Sequence, residues 1–194
     1  MAPAERGGKM RLAVLLLLVG CSAAPETEGQ PERIVERRTS DAPAPRGAAL
    51  LRGAMLDGQN AARARLGLAP LTWNDSLAAD ALAYAQELAR TGRFEHSPQP
   101  RGNPPQGENL WTGTRRAYSY AEMVGHWVEE GRNYRPLPVP QSSATGQFGD
   151  VGHYTQIVWR TTREVGCAEA SNRTDDYVVC RYVPAGNVLG EVAY

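Results

Sequence analysis

Three histidines are spread through the 194 residues, His96, His126 and His153. Imidazole is the side chain best suited to ligate a metal or carry a proton near neutral pH. His96 stands in a Pro/Gly-rich stretch and His153 follows Gly152, while Glu108 lies within Gly107-Glu108-Asn109-Leu110. A loop imidazole beside Pro and Gly is a candidate ligand or acid–base group, and equally a solvated side chain. No HExxH or CxxC spacing is present to decide between these readings. Ser97 follows His96, but the sequence supplies no partner to orient it as a nucleophile.

Helical geometry separates two neighbouring carboxylates. The helix opened by Ser119-Tyr120-Ala121-Glu122, a capping box, carries its apolar stripe on Tyr120, Met123, Val124 and Trp127. At about 100° per residue, Glu129 falls opposite that stripe, whereas Glu130 falls about 90° from its centre. Glu130 can therefore edge into a cleft while Glu129 faces water. His126 lies between them and is expected to be an exposed helical histidine pairing with Glu130 four residues on.

Cysteine usage bears on the compartment. Arg6, Lys9 and Arg11 precede the apolar run Leu12–Val19, which small residues follow, the order of an export signal. Eight apolar residues are too few for a transmembrane helix, which needs about 20. Leu18-Val19-Gly20-Cys21 resembles a bacterial lipobox, so residues 1–21 are assigned as a signal peptide with Cys21 as the lipidation site. Ordinary cleavage after Ala24 is the alternative, and Met10 is an alternative start. Lipidation would remove Cys21 from the odd total of three cysteines. Folding the remaining pair about Arg173/Thr174 sets Cys167 opposite Cys180, Ala168 opposite Val179 and Glu169 opposite Val178. A disulfide there would contribute ~3 kcal/mol.

The supporting elements read as follows. Residues 22–47, rich in Pro, Ala, Glu, Arg and Gly, form a disordered tether able to reach roughly 90 Å. The folded domain is assigned to 48–194. Its first helix carries Leu51, Met55, Ala62 and Leu66 on one face and ends before Gly67 and Pro70. After the extended link Leu71-Thr72-Trp73, Asn74 caps a second helix bearing Leu77, Ala81, Tyr84, Ala85 and Leu88. Beyond the capping-box helix lies a long loop, Arg135 to Gly152. Three strands are expected to finish the chain, His153–Trp159, Val165–Ser171 and Tyr177–Val183. The first is apolar on both sides, hence covered on both. The class is α+β: an α-β-α three-layer sandwich enclosing a small, mostly antiparallel sheet. With 21 basic and 21 acidic residues, net charge attracts neither nucleic acid nor an anionic membrane. Membrane association is expected only through a lipid anchor.

Several segments together resemble a known family. Gly152-His153-Tyr154-Thr155-Gln156-Ile157-Val158-Trp159-Arg160-Thr161-Thr162 is similar to the first signature of the CAP superfamily of cysteine-rich secretory, venom allergen and plant pathogenesis-related proteins. Tyr177-Val178-Val179-Cys180-Arg181-Tyr182-Val183-Pro184-Ala185-Gly186-Asn187 is similar to the second, and His96 with Gly107-Glu108-Asn109-Leu110 to the third. Trp127-Val128-Glu129-Glu130 with Asn133-Tyr134 resembles the fourth, and Asn60, Arg63 and Leu71-Thr72-Trp73-Asn74 extend the likeness to the first helix. Gln59 departs from it, standing where many members have histidine, and only one of the family's disulfides can form.

The resemblance implies a tetrad of His96, Glu108, Glu130 and His153 at the base of a central cleft. It implies capacity for Zn2+ or another divalent cation, bound through neutral imidazole and therefore weakened below about pH 6. Three functions are compatible with it. The leading one is an exported binding module for a small hydrophobic, lipid- or sterol-like ligand, with the loop Arg135 to Gly152 as a flexible apolar lid. The second is a metal-dependent, peptidase-like hydrolase with Glu108 or Glu130 as general base. The third is a surface interaction protein in which the tetrad braces the fold. The implied location is the bacterial cell envelope, as a lipoprotein, or the extracellular space.

Overall fold

The computed structural model describes residues 42–98 and 105–194. The expected signal peptide, with Cys21, lies outside the described residues, as does the tether up to residue 41.

Two helices begin the fold, each for a local reason. Helix α1 (Ala48–Ala64) buries Leu51, Met55 and Ala62 along one face. Helix α2 (Asp75–Thr91) is capped by Asn74, whose side-chain oxygen accepts from the Ser76 and Leu77 amides at 2.8 and 3.2 Å. It ends at Gly92, where φ of 70° suits a residue without Cβ. Between them Thr72–Trp73 forms the short strand β1. Strand β2 spans Gly107–Thr114. Helix α3 (Tyr120–Glu129) opens with the expected capping box, both halves of which are made. A 3-10 turn, Glu130–Asn133, continues it.

The segment expected as a first C-terminal strand is instead a short helix, α4 (Gly152–Ile157). The error has a physical source. A short segment buried at consecutive positions, as at Thr155, Gln156 and Ile157, is covered at both parities like a doubly covered strand, and periodicity cannot separate the two. Its C-terminal carbonyl and those just beyond meet a buried cation. Arg63 donates to Ile157 O, Trp159 O and Thr162 O at 2.8, 2.9 and 3.1 Å, and to Ala69 O at 2.7 Å.

Strands β3 (Glu164–Ser171) and β4 (Asp175–Val183) then form an antiparallel hairpin. Its register sets Cys167 against Cys180, Ala168 against Val179 and Glu169 against Val178, as expected, and the two cysteines are bonded. The sheet order is β1-β3-β4-β2, with only the β1/β3 pair parallel. One face packs on α2 through Ala81, Ala85, Leu88, Leu110, Tyr177 and Val179. The other meets α1 and α3 through Met55, Trp127, Val178, Cys180 and Tyr182. This is the three-layer arrangement expected from the sequence. Gly166 permits the close layer spacing, since a Cβ there would lie 2.2 Å from the Ala78 amide nitrogen.

The chain ahead of α1 is fastened earlier than expected. The Ala44 amide donates to Arg116 O at 2.9 Å. Arg46 forks between Glu169 (2.9 Å) and the fully buried Asp176 (2.5 Å). The burial boundary therefore falls before residue 47. The loop from 135 to 152 is likewise tied down. Val139 is buried and exchanges main-chain bonds with the C-terminal segment, its N–H to Glu191 O and its carbonyl to Gly190 N, both at 2.9 Å.

Candidate metal and ligand site

Strand β2 carries the first half of the site. Glu108 and Arg181 are cross-strand partners on the α2 side of the sheet. The Glu108 side chain is only 1% exposed, and it accepts three hydrogen bonds beside an ion pair. One oxygen accepts from His96 Nδ1 (2.7 Å) and the Ser97 amide (3.1 Å). The other accepts from Ser97 Oγ (2.9 Å) and lies 3.1 Å from the Arg181 guanidinium. Arg181 also donates to Ser97 Oγ at 2.8 Å. Ser97 thus has an orienting partner after all, but that partner is the carboxylate and a guanidinium, so no Ser–His nucleophile is assembled.

Helix α4 carries the second half. Glu130, at the end of α3, accepts from His153 Nδ1 at 2.5 Å with one oxygen. Its other oxygen accepts from the main-chain amides of His153 and Tyr154 at 3.0 and 3.1 Å. A carboxylate at the first turn of α4 satisfies amides that have no partner within the helix. The His153 ring stacks on Trp127, centroids 5.7 Å apart and planes 20° from parallel. The four residues singled out from the sequence therefore come together as two His–Glu pairs.

Both pairs lie at the Gly107 end of β2. Asn109, next to Glu108, donates to the His153 carbonyl at 3.1 Å and to Tyr182 Oη at 3.2 Å. In each pair the carboxylate occupies Nδ1. An ionised carboxylate only accepts, so Nδ1 carries the proton and the Nε2 lone pair is left for a ligand. Carboxylate behind imidazole is the outer-shell arrangement of metal-binding histidine. Each imidazole thus keeps Nε2 for a ligand, whereas the carboxylate oxygens are turned to Nδ1 and to main-chain or side-chain donors. The four side chains expected as one metal-ligand set are not gathered as such: among the described residues no group of three or more His, Cys, Asp or Glu is placed to hold a metal ion. His96 is about half exposed and His153 one-fifth exposed, so solvent reaches both.

His126 departs from its expected role. It is buried, accepts from Trp111 Nε1 at 3.1 Å and meets Tyr118 edge-on. A buried indole N–H needs an acceptor, and this requirement outweighs pairing with Glu130. Sequence reasoning also missed Arg181, Ser97, Asn109 and Trp127 as supports of the site. Arg181 carried a signal: a charge flanked by Cys180 and Tyr182 in an otherwise apolar strand is rarely buried without a carboxylate.

Beside α4, Asn187 accepts from Thr155 Oγ1 (2.7 Å) and donates to Gly152 O (2.9 Å). The segment that follows exposes Val188, Leu189 and Val192, and the adjoining loop exposes Leu137. Leu189 is 77% exposed.

Comparison with known proteins places this geometry in a family. Residues 56–182 match the model of the Cysteine-rich secretory protein family, CAP. The chain belongs to the CAP family. It is 42% identical over 141 residues to pathogenesis-related protein 1A of Nicotiana tabacum, covering 72% of this chain and 78% of that one. It is 38% identical over 140 residues to a PR-1 type protein of Sambucus nigra, covering 72% and 79%. Among solved structures, NaASP2, crystallised with Zn2+, superposes with a TM-score of 0.63 at 24% identity, covering 78% of this CAP chain and 89% of the other. BmVAL-1 gives 0.63 at 23% identity, covering 80% and 86%. Among the described residues no helix is long and apolar enough to cross a membrane.

Proposed function

We propose that this CAP domain is an exported, non-catalytic binding module. In it His96 and His153 offer Nε2 to a divalent cation, and a small, largely apolar ligand of lipid or sterol type is held beside them. The observation that carries the reading is the occupation of both Nδ1 atoms by carboxylates, which leaves each Nε2 for a ligand and supports an outer-shell role for Glu108 and Glu130. A bound ion would supply a positive charge and open coordination positions for a polar ligand group. The exposed Leu137, Val188, Leu189 and Val192 offer apolar contact next to α4. Zinc in the crystals of the structurally similar NaASP2 agrees with this reading.

Hydrolysis is the weaker alternative, because a general base needs a free lone pair near its water. Glu108 is buried, holds three donors and pairs with Arg181, and Glu130 holds three donors already.

The test combines metal analysis and native mass spectrometry of protein isolated from its own membrane or medium, with zinc titration of the purified chain. His96→Ala and His153→Ala are each expected to weaken zinc binding at least about tenfold, as loss of half the imidazole set requires. Absence of both metal and co-purifying ligand, with zinc binding unchanged in both variants, would leave the tetrad as a brace of the fold. Peptide cleavage by zinc-loaded protein that disappears in Glu108→Gln would make the domain a hydrolase.

A further inference from the structure

On the side of the molecule away from the His–Glu pairs, the sheet ends unevenly. Strand β1 covers β3 only at Glu164 and Val165. Beyond that point the edge of β3 opens on a cavity of about 630 Å3. One wall is the start of α1 and Tyr120, the other the exposed side of α2, with Ala48 and Ala49 facing Ala78, Ala79 and Leu82 across the gap. The two helical layers thus overhang a position in the sheet plane where a strand would sit.

The main-chain polarity of that edge is known from its neighbours. Asn74 donates to the Val165 carbonyl on the β1 side, and the Asn172 amide donates to Asp175 on the β4 side, so odd-numbered residues of β3 direct N–H and C=O toward the β1 side. By the alternation of a strand, Cys167 and Glu169 do the same. Both line the cavity, and among the described residues their main-chain groups take no partner on that side. Cys167 is 3% exposed, so its unused donor and acceptor sit inside the groove rather than on open surface.

We propose that this groove receives an extended peptide, which adds to the sheet as a strand along Cys167–Ser171. The alternative occupant, a hydrocarbon chain, would take water from the same main-chain groups and give them nothing in return. A peptide strand supplies a donor and an acceptor at every second residue, the spacing at which β3 offers its own. The groove also selects charge. Glu169 shares Arg46 with Asp176, and Asp75 keeps its charge at the rim, where it accepts from Trp73 Nε1. Arg52 lies over the Trp73 ring, 5.4 Å from its centroid, and meets no carboxylate among the described residues. The preferred peptide therefore alternates β-branched residues with small polar ones and carries an acidic side chain toward Arg52.

The probe is the acetylated, amidated hexapeptide Val-Thr-Glu-Val-Thr-Val, titrated into the isotope-labelled full chain. Its addition is expected to slow amide exchange at Cys167 and Glu169. Methylating the peptide nitrogens at alternate residues keeps the side chains but removes the bonds to β3, and is expected to weaken binding at least about tenfold. Ala79→Trp, at an exposed helical position, should block the groove, and Ala49→Trp should block it from the opposite wall if the first variant is unstable. Arg52→Glu should reverse the preference, favouring a hexapeptide with Lys in place of Glu. Equal binding of the methylated peptide would reduce the groove to a non-specific apolar surface. Slowed exchange at Cys167 with palmitate but not with peptide would assign it to lipid, and no response to either would refute it.

Discussion

At the scale of single residues, the decisive feature is a buried carboxylate ringed by donors. Glu108 is sealed beneath His96 by Ser97 and Arg181, and Arg181 is the only full positive charge in direct contact with it among the described residues. Replacing Arg181 by Gln would leave a buried carboxylate without its cation. The expected loss is about 3–5 kcal/mol, as for other broken buried pairs, and urea unfolding would measure it. If Arg181 also positions His96, zinc affinity should fall in the same variant at temperatures where it stays folded. The site was only partly legible from the sequence. His96, Glu108, Glu130 and His153 were found through the family likeness, and Glu130 was preferred over Glu129 by helical angle alone. The pairing of each carboxylate with Nδ1 could not be read, because it depends on where β2 and α3 lie in space. His126 was misread for the same reason, since its acceptor role is set by Trp111 on another element.

At the scale of elements, capping and register were legible and burial was not. Asn74, the Ser119/Glu122 box and the Cys167/Cys180 register each depend on residues close in sequence, and each stands as expected. Helix α4 does not, because its helicity depends on partners brought from elsewhere. Arg63 reaches from α1 to gather the carbonyls of Ile157, Trp159 and Thr162. A lysine has no planar fork to span them. Arg63→Lys is therefore expected to cost about 2–4 kcal/mol, from lost bonds and carbonyls left unsatisfied. Because α4 carries His153, the same variant should disturb the His153 ring resonances, while the conservative Arg65→Lys, on an exposed side chain, should change neither.

At the scale of the whole molecule, burial of ionisable groups sets the alkaline limit of stability. Burial pushes the Tyr84 hydroxyl up to about 12 and raises Tyr120, Tyr154 and Tyr182 further above their ordinary value of 10. Above pH 10 the unfolded tyrosines release protons that the folded ones retain, so stability falls as pH rises. Arg63 acts in the opposite sense. Burial lowers it to about 10 from 12.5, so its unfavourable contribution is present below pH 10 and fades as pH climbs through that value. Burial raises Tyr134 as well, and five tyrosines against one arginine predict a falling Tm between pH 10 and 12, with tyrosinate absorbance appearing together with unfolding. A Tm that stays level across that range would show that these hydroxyls ionise without leaving the core.

The fork of Arg46 has a mechanical meaning. Any pull on the chain ahead of Ala42 reaches Glu169 and Asp176 before it reaches the first turn of α1. Those two carboxylates belong to the β3–β4 hairpin, which the Cys167–Cys180 bond staples across its width. Tension is thus delivered sideways into cross-linked strands instead of unwinding a helix from its end. A domain held by its N-terminus would keep its shape under shear that would otherwise peel it apart.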